Sequence, residues 1–147
     1  LALDLRPPEL EELGLAEVLR QHTEQVRTRT GIDLEFSDST GSQWLAPTVA
    51  IVLYRICQEA LNNAIRHAKA GKILVSLALS RGSVEARVSD NGIGFDMASL
   101  RTAPGISMGL ISIAEMVSSV NGSLKLDSQL GKGTQISVAV PHVEEGP

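Results

Sequence analysis

Lys72-Ile73-Leu74-Val75-Ser76-Leu77-Ala78-Leu79-Ser80-Arg81-Gly82-Ser83-Val84-Glu85-Ala86-Arg87-Val88-Ser89-Asp90 holds two alternating runs joined by a tight turn. Ile73, Val75, Leu77 and Leu79 share one side, and Ser76, Ala78 and Ser80 the other. Val84–Asp90 alternates again after Arg81-Gly82-Ser83. A period of two across such a turn predicts an antiparallel hairpin with one covered face and one wetter face. Downstream, Leu124–Asp127 and Thr134–Val140 flank the Gly131-Lys132-Gly133 turn and read as two more strands, while Ile32–Phe36 reads as a short one.

Helix spacing surrounds these strands. From Glu9 to about Arg29 apolar residues recur at Leu10, Leu13, Val18, Leu19 and Val26, and Gly31 ends the run. A long helix is predicted from about Pro47 to Ala68, with proline suited to its first turn and Gly71 beyond its end. Leu110–Val120 is a third, stopped at Asn121-Gly122. Ser37–Gln43 is a polar connection, and Asn91–Met108, rich in Gly, Ser, Asp and Pro, reads as a mobile loop. Leu1–Arg6 reads as the tail of an upstream helix ended by Pro7-Pro8, and Pro141–Pro147 as a polar tail. Alternating strands need a cover on one face only. The expected class is therefore α+β: a two-layer α/β sandwich, its mixed, mostly antiparallel sheet covered on one face by about three helices. One domain is expected, spanning 9–141, with 1–8 as a linker end and 142–147 as the tail.

The 147 residues are 43% hydrophobic but only 3% aromatic, so the core must be aliphatic. Thirteen basic against 17 acidic side chains give a net charge of −4, without a basic run to track nucleic acid or an anionic membrane. The single cysteine, Cys57, cannot form an internal disulfide, which suits a reducing cytoplasm. No apolar run approaches the roughly 20 residues that span a bilayer. A start at Leu1 without Met reads as a piece of a longer protein, whose other segments could still reach a membrane.

At about 100° per residue, Arg55, Glu59, Asn63, Arg66 and His67 fall within an arc of roughly 120°. Leu53, Ile56, Cys57, Ala60, Leu61, Ala64 and Ile65 fill the adjoining core arc, and Gln58 and Asn62 lie outside both. A polar edge beside a buried one suits a magnesium-bound triphosphate, because Mg²⁺ prefers hard oxygen ligands and keeps several waters. An Asn oxygen is such a ligand without added negative charge. A carboxylate one turn earlier can hold a metal-bound water or act as a base, and a cation one turn later can meet phosphates. An ordinary solvated face with surface pairs accounts for the same stripe.

Asp90 ends its strand with the parity of Val84, Ala86 and Val88, so its carboxylate should point to the covered face, where it needs a donor. The exocyclic amine of adenine is one; guanine has a carbonyl there. Gly92 and Gly94 would let the backbone approach a flat purine. Asp-Asn-Gly is equally a common turn. Gly105-Ile106-Ser107-Met108-Gly109-Leu110 runs into a helix, where free backbone N–H groups could receive phosphates. Gly131-Lys132-Gly133-Thr134 leads into a strand, with Thr134 on the parity of Ile136 and Val138. Each glycine turn alone is a weak signal, and no Walker-type loop is present. His22 and His142 read as surface residues, Cys57 as core, and no spacing argues for a hydrolase triad or a zinc site.

In order, these pieces resemble the GHKL superfamily of histidine kinases, Hsp90-like chaperones, type II topoisomerases and mismatch-repair ATPases. Glu59–Ala68 resembles the N box of sensor histidine kinases, Asp90–Gly94 the G1 box, Gly105–Leu110 the G2 box and Gly131–Thr134 the final glycine motif. The resemblance implies a Bergerat-type fold binding ATP and Mg²⁺. Asn63 would be the metal ligand, Glu59 a base, Arg66 and His67 phosphate-side groups, and Asp90 the adenine-reading carboxylate. Gly92, Gly94, Gly105, Met108, Gly109, Leu110, Gly133 and Thr134 would complete the nucleotide site. Ser107-Met108-Gly109-Leu110 departs from the usual GxGL, and Ile113-Ala114-Glu115-Met116 from an arginine-rich run.

Leu5-Arg6-Pro7-Pro8 and Leu13-Gly14-Leu15 are similar to the junction after the dimerisation helices in the nitrate- and oxygen-sensor subclass. The implied partners are a dimerisation and phosphoacceptor domain of the same protein and a response regulator with a helix-turn-helix output domain, without direct nucleic-acid binding. The implied location is cytoplasmic, in a parent that could be membrane-anchored. The implied reaction moves the γ-phosphoryl of Mg-ATP to a histidine outside this chain, since His22, His67 and His142 precede Thr, Ala and Val rather than an acidic residue. The rivals are a GHKL ATPase, an anti-sigma-type serine kinase and a non-catalytic nucleotide-binding module.

Overall fold

The computed structural model describes residues 9–40, 45–97 and 104–142. Helices α1 (Glu9–Leu13) and α2 (Leu15–Thr30) come first, then strand β1 (Asp33–Ser39) and helix α3 (Pro47–Asn63), which a π-helical turn extends over Ala64–Ala68. Strands β2 (Lys72–Ser80) and β3 (Ser83–Asp90), helix α4 (Pro104–Ser119), and strands β4 (Ser123–Gln129) and β5 (Gly133–Pro141) follow. The strands form one sheet in the order β1-β2-β3-β5-β4. β1 runs parallel to β2, and the other pairs are antiparallel. This is the expected two-layer sandwich.

Register explains what the sheet buries. Val75, Val88, Ile136 and Leu126 align in one row across four strands. Ile73, Val75, Leu77, Val84, Val88, Ile136, Val138 and Val140 are buried with Leu19, Leu53, Ile56, Leu61 and Ile113 of the helices. Full burial of each such side chain stabilises the fold by about 1.5–3 kcal/mol. The next row, Ile73, Asp90, Thr134 and Ser128, replaces aliphatics with three polar side chains. That row places the site at one end of the core.

Several expectations are corrected. The run from Glu9 to Arg29 is two helices, broken at Gly14, whose φ of 84° favours glycine. Leu13 before the break is 46% exposed instead of facing the core. Leu79, expected on the covered side, is also exposed at the hairpin end. β1 reaches Ser39 because the parallel ladder pairs Ser37, Asp38 and Ser39 with Ser76, Leu77 and Ala78. Helix α4 begins at Pro104, six residues before Leu110, so the second glycine motif is helical and not a loop. His142 is buried, its backbone N–H donating to the Gly82 carbonyl at 2.7 Å. His22 is half-buried, edge-on to the Tyr54 ring, and burial lowers its pKa. The readings of Leu1–Pro8, of residues 98–103 and of the tail beyond His142 lie outside the described residues. No described helix is long and apolar enough to cross a membrane.

Candidate functional site

Helix α3 positions the first wall. Leu53, Ile56, Cys57, Ala60, Leu61 and Ala64 are buried, as their arc requires, while Asn62 is exposed and Asn63 turns toward the sheet. Ala60, Asn63 and Ala64 line a cavity of about 70 Å³, closed opposite by Val88 and Asp90 of β3 and by Thr134 and Ile136 of β5. Ile93, Gly94, Phe95 and Leu110 of α4 complete it. Asn63 and Asp90 thus stand on two walls of one cavity, across an apolar interior. A cleft of about 480 Å³ adjoins it, sharing Asp90 and Thr134 and bordered by Ser128 and Gly133.

Asp90 is a half-buried acceptor. Burial raises its pKa, and the backbone N–H groups of Gly92 and Thr134 oppose that shift. Gly92 N–H donates to Oδ1 at 2.8 Å. A carboxylate in this setting gains from one further donor. The amide Nδ2 of Asn63 is buried and has no hydrogen-bond partner among the described residues. Such a donor gains from an acceptor such as a phosphate oxygen or a metal-bound water. Its Oδ1 is a hard oxygen of the kind Mg²⁺ takes, and among the described residues no group of His, Cys, Asp and Glu forms a metal cage. The donor set therefore fits a magnesium ion brought by a phosphate chain and not one held by protein alone.

The glycines act by close approach. A Cβ on Gly109 would lie 2.7 Å from Asn63 Nδ2 and 3.0 Å from Glu59 Oε2, so α4 rests on the polar edge of α3. A Cβ on Gly133 would lie 2.0 Å from the Asp90 carbonyl, and one on Gly94 2.0 Å from the Gln129 carbonyl. Gly131 N–H donates to the Ile93 carbonyl at 2.7 Å. The β4–β5 turn therefore clasps the loop that follows Asp90.

Glu59, Asn63, Asp90, Gly92, Gly94, Gly109, Leu110, Gly133 and Thr134 are gathered here. Arg66, on the π-helical turn that follows Asn63, is exposed, and Met108 is 71% exposed and outside the cavity. Gly105 lies in the first turn of α4, and the His67 side chain lies outside the described residues. Two polar residues escaped sequence reasoning. Asn91 Oδ1 accepts from Gly71 N–H at 3.0 Å and Lys72 N–H at 2.9 Å, tying the loop to the start of β2. Ser128, buried, contacts Phe95 N, Gly133 O and Thr134 Oγ1. A hydroxyl on the covered parity of Leu124 and Leu126 was the one signal for it.

Residues 48–144 match the family described as histidine kinase-, DNA gyrase B-, and HSP90-like ATPase. The oxygen sensor histidine kinase NreB of Staphylococcus carnosus is 34% identical over 141 residues, 96% of this chain and 40% of that protein. The histidine-protein kinase/phosphatase DegS of Bacillus subtilis is 35% identical over 139 residues, 92% of this chain and 36% of that protein. The chain thus spans about two fifths of the length of the curated relatives it matches. In fold, it is similar to the Erythrobacter litoralis EL346 blue-light activated histidine kinase, with a TM-score of 0.72 at 18% identity over 86% of this chain and 41% of that one. It is also similar to full-length ShkA, with a TM-score of 0.73 at 20% identity over 91% of this chain and 30% of that one.

Proposed function

The chain belongs to the histidine kinase-, DNA gyrase B-, and HSP90-like ATPase family, and we propose that it is the ATP-binding catalytic domain of a sensor histidine kinase. The observation that carries this reading is the placement of Asp90 and Asn63 on facing walls of one cavity. Asp90 accepts the exocyclic amine of adenine. The apolar walls formed by Val88, Ile136, Ala60 and Leu110 take the faces of the ring. Asn63 holds the metal on the phosphate tail, and its free N–H meets a phosphate oxygen. Magnesium, when bound, neutralises charge building on the transferred phosphoryl group. Glu59, next to Asn63, orients or deprotonates the acceptor imidazole.

At about 70 Å³ the cavity is below the roughly 300–1,000 Å³ of ligand pockets, so nucleotide entry moves the Leu110 wall outward. The acceptor histidine lies on a dimerisation domain of the parent protein, and the phosphoryl group passes on to a response regulator with a helix-turn-helix output domain. The location is cytoplasmic. The likeness to NreB and DegS supports the kinase reading over a chaperone-type ATPase. So does Asn62, which stands where those ATPases carry an acidic residue.

Calorimetry of the 147-residue chain with Mg-ATP should give binding that Asp90→Asn abolishes. Radiolabel from γ-labelled ATP should move to a supplied dimerisation fragment, with little label on the chain itself. Phosphate release into water without transfer would refute the kinase assignment.

A further inference from the structure

Asp90 and its neighbour Asn91 serve two different parts of the molecule. Asp90 lines the cavity, whereas Asn91 has the other parity and is exposed. Past the last ladder pair, Ile73 with Asp90, the Asn91 N–H still donates to the Lys72 carbonyl at 3.2 Å. Its side chain then accepts from the two amides that lead into β2, Gly71 N–H at 3.0 Å and Lys72 N–H at 2.9 Å. Both donors are backbone N–H groups, so the atom they share must be the amide oxygen, and the direction of each bond is settled. Three hydrogen bonds from one residue thus bracket Gly71 and Lys72.

The bracket holds the exit from α3. Between the π-helical turn Ala64–Ala68 and β2 stand only Lys69, Ala70 and Gly71. Lys69 has a φ of 51°, a conformation that a residue with a side chain adopts at a cost. Such a residue and a rare π-turn persist where the surrounding structure holds them. The turn follows directly on Asn63, and its first residue, Ala64, lines the cavity.

We propose that Asn91 is a positioning residue for the phosphate side of the site. By fixing the connector from α3 to the strand end that carries Asp90, it keeps the π-helical turn wound and Asn63 aimed at the metal on the phosphate tail. This rests on the nucleotide-binding reading above. Because the bracket is exposed, water replaces its hydrogen bonds when the side chain is removed, and the fold loses little. What goes is the fixed span between the two walls. The loss therefore falls on the metal-dependent part of ATP affinity and spares what the base contributes.

The test measures ATP affinity of the 147-residue chain by calorimetry, with Mg²⁺ and in excess EDTA. Mg²⁺ should tighten ATP binding to the unmodified chain. Asn91→Ala should weaken Mg-ATP about tenfold, within the reach of two neutral hydrogen bonds, and metal-free ATP by less than about twofold. Its thermal midpoint should fall by only a few degrees. Asn91→Asp keeps an oxygen in the place of Oδ1 and should restore the gain from Mg²⁺. Equal weakening of both forms of ATP, or of neither, overturns the proposal, as does Asn91→Asp behaving like Asn91→Ala. ATP bound equally with and without Mg²⁺ by the unmodified chain overturns it too, and leaves the base contacts standing. No ATP binding at all by that chain overturns the nucleotide reading itself. If Asn91→Ala does not fold, as judged by far-UV circular dichroism, Asn91→Ser, too short to reach both amides, serves the same comparison.

Discussion

Gly109 of α4 rests against the Asn63 side chain of α3 so closely that an added Cβ would stand 2.7 Å from Nδ2 and 2.8 Å from Oδ1. The atoms in the way are the tip of one side chain and a Glu59 carboxylate oxygen at 3.0 Å, not backbone. Gly109→Ala should therefore push Asn63 aside without breaking the fold. The helix gains roughly 0.5–1 kcal/mol from alanine, which offsets part of the crowding. The thermal midpoint should move by only a few degrees, while Mg-ATP affinity drops about tenfold or more, the scale of 1.4 kcal/mol. Calorimetry alongside thermal melting checks both. An unchanged affinity would place Asn63 outside the phosphate site.

Asp90 makes opposite demands on binding and stability. Burial raises its pKa in the fold, so its contribution to stability is full only below the ordinary aspartate value of about 3.9 and is lost as pH rises through the raised value. Without nucleotide, Asp90→Asn should therefore gain stability relative to the unmodified chain between pH 4 and pH 7, even though it binds no ATP. Melting curves of both proteins at the two pH values provide the comparison. A gap that widens in favour of Asp90 with rising pH would mean that its partners outweigh its burial.

Cys57 provides a probe of global opening. It is buried in the core, and burial pushes its thiol pKa up to about 12. An aromatic disulfide reagent at pH 8 should leave it unmodified in the native chain and label it fully in denaturant. Its stabilising contribution holds below the free-thiol pKa of about 8.5 and is lost as pH climbs toward the raised value. The stability advantage over Cys57→Ala should accordingly shrink above pH 9. Rapid native labelling would contradict the packing of α3 on the sheet.

Much of this was readable from periodicity. The alternation of Lys72–Asp90 carried the central hairpin, and the arc of α3 separated Asn63 from Asn62, because both depend on repeats within one element. Misreadings arose where a distant partner decides. The extension of β1 to Ser39 comes from its parallel ladder with β2, and the burial of His142 from its bond to Gly82. The early start of α4 was hidden by two glycines that disfavour helix, leaving Pro104 as its only start signal. Ser128 carried only the parity signal, because Phe95, one of its partners, lies 33 positions away.

The clasp between the β4–β5 turn and the loop after Asp90 gives a matched pair of substitutions. Gly94 has a φ of 63° and Gly131 a φ of 80°, so alanine is strained at either position. Backbone strain of this kind costs roughly 1–2 kcal/mol. At Gly131 nothing lies within 4 Å of the added carbon, so Gly131→Ala should cost only that. At Gly94 the same carbon would sit 2.0 Å from the Gln129 carbonyl and 2.9 Å from the Gly133 carbonyl. Backbone atoms cannot yield as a side-chain tip does, and overpacking adds about 1–3 kcal/mol more. Gly94→Ala should thus lower the urea midpoint well beyond Gly131→Ala. Any folded fraction should bind Mg-ATP poorly, because separating the turn from the loop displaces both Gly133 and the Phe95 anchor on Ser128. Equal midpoints for the two variants would show that the clasp does not hold the base end of the cavity together.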